Sequence, residues 1–252
     1  MEQRPLTLLN LTPDREAFAL WSAQHAGFNR RSAGAGMVDT GYAWHGLLRS
    51  VFGSAAPKPF VDRIALRSND FLGYVATTPD ALTINEDIES LAGRAIGLDG
   101  LRAMEMPARW HTGQELSFEV RIRPVVRTRR QARTGKHDEM DVAVHAALSD
   151  PDIARDQAYR SWLERELNRD EAATLQEMRT LAFRRSRVVR RKQDADRKAV
   201  SIEGPDLWVC GHLQVRTSKA FDALLRRGLG RHRAFGFGCL LVGRPGVLNS
   251  RC

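Results

Sequence analysis

The sequence has few cysteines and no long apolar run, and both absences exclude classes of protein. Its 252 residues include three cysteines, Cys210, Cys239 and Cys252, which lack the paired spacing of a zinc site. They are also too few for a small disulfide-stabilised scaffold. No stretch approaches the ~20 consecutive apolar residues of a membrane-spanning helix. We therefore expect a cytoplasmic globular protein without membrane contact, built as one large or two average domains.

Familiar catalytic and nucleotide-binding motifs are absent as well. The chain contains no P-loop, no HExxH and no G-x-S-x-G motif. A glycine-rich run at residues 228–238 does not fit the dinucleotide-binding fingerprint, because it follows a predicted helix and precedes a predicted strand. The sequence therefore predicts neither a bound metal ion nor a cofactor.

The positive charge is concentrated in the second half of the chain. Residues 1–120 hold 11 Lys and Arg against 14 Asp and Glu, whereas the remainder holds 28 against 16, a net charge of +12. Nearly all of these 28 residues are arginines, whose guanidinium groups bind phosphate in a bidentate manner and stack on bases. This asymmetry favours a polyanion, and above all a nucleic acid, as the partner of the second half.

Hydrophobic patterning predicts a first domain over residues 1–130 with the order β-α-β-β-α-β. We expect strands at residues 5–12, 61–67, 71–77 and 116–126, helices at 40–52 and 83–91, and weaker helical periodicity at 98–104. A loop of small residues is expected after the first strand. Asp39 is predicted to cap the first helix, and Gly53 to end it.

A second domain is predicted over residues 131–252, beginning with a polar linker at 131–140. We expect a long charged helix at residues 150–182, strands at 183–190, 198–202, 207–215 and 239–242, and a helix at 219–227. Ser218 is predicted to cap that last helix. The order again matches a ferredoxin-like fold, with the long helix as an insertion.

One pair of residues on the first predicted helix has the residue types of acid–base chemistry. Tyr42 and His45 are three positions apart, so they share one helix face. An imidazole that titrates near neutrality exchanges protons with a ribose hydroxyl or a leaving oxygen, and a phenol assists. The alternative is that both residues are amphipathic boundary positions beside Leu48 and Phe52.

Two basic segments of the second half are candidates for nucleic-acid contact. In the first, residues 183–198, alternate arginines share one face of a strand and suit an RNA backbone. Its predicted contacts are Arg184, Arg185, Arg187, Arg190, Arg191 and Lys192. In the second, residues 228–238, glycines let backbone amides approach a phosphate. Its predicted contacts are Arg231, His232, Gly236 and Gly238. A solvated hairpin and a plain glycine-rich connection are the respective alternatives.

These features resemble the CRISPR-associated endoribonucleases that cut precursor CRISPR RNA, and most closely the CasE branch of type I-E systems. The matching segments are Tyr42-x-x-His45, residues 56–60 (APKPF), residues 116–124 (LSFEVRIRP) and the glycine-rich residues 228–238 before CLLV. The glycine-rich loop is the most specific, as the signature of repeat-associated RNA-binding proteins. The resemblance implies an α+β fold of two tandem ferredoxin-like (βαββαβ) domains.

The resemblance also implies a reaction. A ribose 2′-hydroxyl attacks the adjacent phosphate without a metal ion, leaving a 2′,3′-cyclic phosphate and a 5′-hydroxyl. His45 would then be the general base or acid, Tyr42 its helper, and Arg233 the residue that stabilises the phosphorane. The implied partners are the repeat RNA hairpin, bound by the arginine-rich segment, and other subunits of a CRISPR effector complex.

Two departures from the CasE pattern keep alternatives open. The long charged helix and the arginine density resemble the related type IV proteins, and this second resemblance implies that the histidine need not be catalytic and that arginines near the cut are the alternative candidates for the reaction. Arg49, one turn after His45, is then the reserve candidate. A non-catalytic subunit that binds CRISPR RNA, or a DNA-binding regulator, would share the same basic face.

Overall fold

The chain forms two compact units in the computed structural model, which describes residues 5–25, 40–129, 137–191 and 199–245. The first unit comprises Met1–Ala108, Val188–Ser201 and Arg233–Cys239, and the second comprises Arg109–Arg187, Ile202–His232 and Leu240–Cys252. Along the chain, the first unit therefore first gives way to the second after Ala108, whereas the sequence predicts a domain boundary after residue 130.

The first unit is a four-stranded antiparallel sheet with three helices. Its elements are β1 (Thr7–Leu11), α1 (Arg15–His25), α2 (Thr40–Phe52), β2 (Phe60–Asp62), β3 (Phe71–Val75), α3 (Ser90–Ile96) and β4 (Arg102–Glu105). The strands lie in the order β2-β3-β1-β4, with Leu9 opposite both Gly73 and Ala103. Apart from the extra helix α1, this is the β-α-β-β-α-β arrangement of a ferredoxin-like fold.

Helix α1 occupies residues directly after β1 that were expected to belong to a loop, so that part of the expectation is wrong, whereas the small residues 30–36 lie outside the described residues. The Asp14 carboxylate accepts hydrogen bonds from the backbone N–H groups of Glu16 and Ala17, both at 3.0 Å, and so caps the helix. Phe18 and Trp21 then lie on its buried face. The Thr-Pro-Asp signal after β1 therefore starts a helix here.

Helix α2 has the predicted bounds, and Gly53 follows it with a φ of 55°. Asp39, its predicted cap, lies outside the described residues. The strand expected at 61–67 ends at Asp62, whose carboxylate accepts from the N–H of Ile64 and starts a 3-10 turn. The fourth strand of this sheet is β4, not the predicted segment at 116–126. Helix α3 likewise starts seven residues after the position expected from the sequence.

The second unit repeats the same sheet order with a short insertion. Its elements are β5 (Glu115–Ile122), β6 (Val125–Arg129), β7 (His137–Asp141), α4 (Val142–Ala147), α5 (Arg155–Asn168), β8 (Ala173–Arg191), β9 (Ala199–Val215), α6 (Ser218–Arg227) and β10 (Leu241–Gly243). The end of β8 from residue 188 and the start of β9 up to residue 201 are assigned to the first unit. The main sheet has the order β10-β5-β9-β8, and β6 and β7 form a separate hairpin. The α+β, tandem ferredoxin-like fold is thus confirmed.

The predicted helix over residues 150–182 is wrong in its second half. Helix α5 ends at Asn168, and Asp170 and Glu171 then adopt left-handed φ values of 57° and 56°. From residue 173 the chain is a strand, in which Leu175 is buried while both its neighbours are exposed. Leu175, Met178 and Leu181 are therefore spaced as in a helix although they lie on strand β8.

Other predictions for the second unit are partly confirmed. The strands expected at 183–190 and 207–215 lie within β8 and β9. Residues 137–140, expected in a linker, belong to strand β7, which pairs with β6. Ser218 does not cap α6, because its hydroxyl accepts a hydrogen bond from the N–H of Trp110 at 3.0 Å. In the described part of the chain, no helix is long and apolar enough to cross a membrane.

Candidate functional site

Helix α2 presents Tyr42, His45 and Arg49 on one face because its apolar residues pack into the core on the other side. Its buried residues are Ala43, Trp44, Leu47, Leu48, Val51 and Phe52. Tyr42 and His45 are half-buried at the edge of this surface, and Arg49 is exposed. Spacings of three and four residues place the phenol, the imidazole and the guanidinium along the same side of the helix.

Polar contacts of Trp44 fix how α2 is rotated. The indole N–H donates to the Asp62 carboxylate at 2.9 Å, and the same carboxylate accepts two hydrogen bonds from Arg15, at 2.8 and 2.9 Å. The Trp44 ring also stacks on Phe18, with 3.9 Å between ring centroids. Because Trp44 lies between Tyr42 and His45 in the sequence, this anchor determines where those two side chains project.

The surroundings of His45 lower the pKa of its imidazole below the ordinary value. Burial contributes most, because desolvation disfavours the charged ring, and repulsion by Arg49 and Lys58 adds to it. The Lys58 side chain is exposed, while its backbone N–H donates to the carbonyl of Tyr74 at 2.9 Å, which holds this segment against β3. The imidazole is therefore mainly neutral at pH 7 and able to accept a proton.

Arg233 lies in a short 3-10 turn, Arg233–Phe235, that packs against the start of α2. The two backbones are so close at Gly41 that an added Cβ would lie 2.6 Å from the carbonyl oxygen of Phe235. After the turn, Gly236 and Gly238 are buried and have φ values of 84° and 75°, which residues other than glycine rarely adopt. These glycines thus shape the loop that carries Arg233.

Arg184, in the second unit, is held by a buried carboxylate. Asp206 is about 1% exposed and accepts two hydrogen bonds from Arg121, both at 2.7 Å, and one from Arg184 at 2.8 Å. Burial acts to raise the pKa of Asp206, but the two guanidinium groups outweigh it and hold that pKa below its ordinary value. Arg184 remains 58% exposed despite this anchor.

Arg185 and Arg187 lie on the other face of β8. Both donate to the Glu203 carboxylate, at 2.9 and 3.4 Å, and more than half of each arginine side chain is exposed. Their hydrogen bonds and charges lower the pKa of Glu203. The side chains of Arg190 and Arg191, and all of Lys192, lie outside what the structure describes.

A second carboxylate ties the start of the glycine-rich loop to the β6–β7 hairpin. Glu139 accepts hydrogen bonds from Arg231 at 2.5 Å and from the His232 ring at 2.6 Å. Burial acts to raise the pKa of Glu139, but its interactions with His232 and Arg231 lower it to about 2. Because the His232 side chain is 5% exposed, its contact with Glu139 anchors the loop in this structure.

Comparison of the sequence with known families assigns nearly the whole chain. The model of the family described as CRISPR associated protein matches residues 13–244. The chain belongs to this family of CRISPR-associated proteins. No curated protein matches the chain in a direct comparison.

Solved structures share the fold of this CRISPR-associated protein at low sequence identity. The CRISPR endoribonuclease Cse3 bound to a 19-nucleotide RNA has a TM-score of 0.59 and 22% identity, covering 95% of this chain and 99% of that one. Cas6e from Escherichia coli str. K-12 has a TM-score of 0.54 and 16% identity, with the same coverage. A chain of a CRISPR RNA-guided surveillance complex has a TM-score of 0.50 and 18% identity, covering 94% and 99%.

The predicted site residues of the CRISPR-associated protein fall into three groups. Tyr42, His45 and Arg233 lie on elements of the first unit that pack together. Arg184, Arg185 and Arg187 are exposed on the two faces of β8 in the second unit, and Arg231 and His232 belong to the Glu139 cluster. Sequence reasoning missed Lys58 as a neighbour of His45, although the residue lies in the Pro-Lys-Pro segment that carries part of the family resemblance. Among the described residues, no cluster of His, Cys, Asp and Glu is arranged to hold a metal ion.

Proposed function

We propose that this protein is an endoribonuclease that cuts the repeat hairpin of precursor CRISPR RNA without a metal ion. The observation that supports the proposal is the position of His45 beside Tyr42 on a helix that packs against the turn of Arg233. Cleavage by a 2′-hydroxyl requires proton transfer and neutralisation of phosphate charge, and side chains of these types supply both. The fold shared with an endoribonuclease bound to RNA agrees with this chemistry.

We propose His45 as the general base of this mechanism, because a lowered pKa favours the neutral imidazole that accepts a proton. The imidazole takes the proton of the 2′-hydroxyl while that oxygen forms a bond to phosphorus. The bond from phosphorus to the 5′-oxygen then breaks, and the leaving oxygen is protonated by Tyr42 or by water. Arg233 neutralises the phosphorane, and Arg49 and Lys58 add positive potential on the His45 side. The products are a 2′,3′-cyclic phosphate and a 5′-hydroxyl.

The exposed arginines of β8, Arg185 and Arg187 on one face and Arg184 on the other, are the proposed contacts for the repeat stem. Arg184, Arg185 and Arg187 are more than half exposed on a strand whose backbone is fixed in a sheet. Phosphate contacts from such a strand recognise the shape of an RNA helix. Because similar chains occur in a surveillance complex, we further propose that the protein acts in the cytoplasm and stays with its product beside other subunits.

The test is cleavage of the host's repeat hairpin in EDTA by the wild type, His45→Ala and Arg233→Ala. We expect each variant to lose about 100-fold or more in the first-order cleavage rate, the usual contribution of an acid–base or electrostatic group. The matched control is His111→Ala, which removes an exposed histidine of the second unit and should cleave at the wild-type rate.

A substrate with one 2′-deoxyribose at the cut tests the nucleophile. The proposal requires that this RNA bind normally and remain intact. Full cleavage by His45→Ala would move the chemistry to the arginines. Tight binding without any cleavage by the wild type would contradict the enzyme assignment and leave a structural CRISPR RNA-binding subunit.

A further inference from the structure

Phe183 is an exposed aromatic residue in the middle of the basic strand β8. Its side chain is 39% exposed, and it is the one aromatic among the exposed large hydrophobic residues of the part of the chain that the structure describes. Phe183 is followed in the strand by exposed arginines, and an aromatic ring beside cations is the combination of groups that binds single-stranded nucleic acid.

Two neighbours, one aromatic and one cationic, hold the Phe183 ring in place. On one side lies Tyr159, a fully buried ring of α5 at 6.0 Å between centroids, whose hydroxyl donates to the Asp141 carboxylate at 3.0 Å. On another side the exposed Arg155 places its guanidinium carbon 5.0 Å from the ring centroid. The result is a pre-formed pair of flat groups, one aromatic and one cationic, that rests on a rigid base.

The strand alternation aligns this pair with the two arginines that share Glu203. Residues 183, 185 and 187 occupy alternate positions of β8 and therefore point to one face. Their common contact with Glu203 shows that Arg185 and Arg187 do share a face, whereas Arg184 turns to Asp206 on the other. An aromatic ring thus precedes two exposed cations along a single line.

We propose that Phe183 and Arg155 form a stacking platform for one unpaired nucleobase of the RNA, beside the phosphate contacts of Arg185 and Arg187. The inference rests on the proposed function only in taking the bound RNA to be the repeat transcript. Unpaired bases are recognised by stacking on aromatic rings and guanidinium planes, whereas bases inside an A-form stem are not accessible to such groups. The platform therefore binds a nucleotide that flanks the stem or lies in its loop.

The experiment measures binding of hairpin RNA that carries 2-aminopurine at each unpaired position in turn and a single 2′-deoxyribose at the cut. With the wild type, one position should change its fluorescence on binding. Phe183→Leu, which keeps an apolar side chain but removes the ring, should abolish that change and weaken binding by about 5-fold or more. Phe183→Tyr should retain both, and Arg155→Gln should show an intermediate loss.

Two comparisons separate stacking from general damage. Leu148→Ala, which removes another exposed apolar residue of the second unit, should bind as the wild type does. On a blunt stem without unpaired flanks, closed by a stable loop of unrelated sequence, Phe183→Leu should bind as tightly as the wild type. The affinity of Phe183→Leu should also depend on salt as the wild-type affinity does. Arg185→Gln, in contrast, should reduce the slope of log K against log salt by about one.

The outcomes distinguish this inference from the proposed function. If Phe183→Leu keeps its thermal unfolding temperature, its RNA affinity and the fluorescence change, the platform does not contact RNA and the inference is wrong, even with normal cleavage. An equal loss on the blunt stem would place Phe183 at the stem and also overturn it. If the wild type binds no repeat RNA at all, both the proposed function and the platform fail.

Discussion

Replacing Gly41 with alanine tests whether helix α2 and the turn that carries Arg233 form one site. The added methyl group would lie 2.6 Å from the carbonyl oxygen of Phe235 and 3.0 Å from its Cα and carbonyl carbon. All three atoms belong to the backbone, so no side-chain rotation relieves the clash. The turn must instead move away by about 0.8 Å before an ordinary contact of 3.4 Å is reached.

The magnitude follows from two opposing effects. Overpacking of this kind costs about 1–3 kcal/mol, and alanine returns up to about 1 kcal/mol of helix propensity. A net loss of about 1 kcal/mol lowers the Tm by roughly 2–4 °C for a chain of this size. The displacement of Arg233 matters more for the reaction, because a misplacement near 1 Å costs up to about 100-fold in rate. We expect the cleavage rate of Gly41→Ala to fall by roughly 10- to 100-fold.

The assay pairs single-turnover cleavage of the repeat hairpin with thermal unfolding and RNA affinity. Gly46→Ala is the matched control, since the same change in the same helix meets only the Trp21 ring, at 3.5 Å. It should leave the cleavage rate unchanged. RNA affinity should stay within about 3-fold in both variants, because the exposed arginines of β8 are untouched. Equal cleavage rates and unfolding temperatures for the two variants would refute the reasoning.

Two further predictions concern titration. Burial and the charge of Arg49 lower the pKa of His45, so the cleavage rate should begin to fall only at a pH below the ordinary histidine range. Arg49→Gln should move this fall in rate to higher pH. A pH–rate profile in which the variant and the wild type lose activity at the same pH would contradict this. Glu139, whose pKa is lowered to about 2 from an ordinary 4.5, contributes stability that is complete above pH 4.5 and is lost as the pH falls toward 2. Glu139→Gln should therefore lower the free energy of unfolding in urea by about 3 kcal/mol at pH 7, with a smaller difference from the wild type at pH 3. A difference that does not change with pH would contradict the lowered pKa of Glu139.

Helix α2 and the strand at residues 207–215 were predictable because each follows from a local pattern. In both, the spacing of the apolar residues keeps the same period along the whole predicted element. The helix predicted at 150–182 failed because Leu175, Met178 and Leu181 have helical spacing but follow two left-handed residues. Only the backbone turn at Asp170 and Glu171 separates the true helix from the strand, and neither residue is a glycine.

The candidate site was predictable only in part. Tyr42 and His45 are close in sequence, so their shared face follows from spacing alone. Lys58 and Arg233 lie outside helix α2 in the sequence. Lys58 is positioned by its backbone hydrogen bond to strand β3, and Arg233 by the glycine-rich loop that packs against α2. The carboxylates that hold the basic residues, Asp206 and Glu139, gave no sequence signal. The partners of Asp206 come from other strands, and those of Glu139 come from the glycine-rich loop.

Strand β8 is the outer strand of its sheet, and this position gives its charges a second consequence. Nineteen residues of backbone form one long edge, and an edge of that length is a template on which another chain can add a strand. Charged side chains on an edge strand oppose such pairing, so we expect Arg184, Arg185 and Arg187 to keep two copies from joining into a continuous sheet. The residues proposed to attract RNA would thereby also protect the free protein against aggregation.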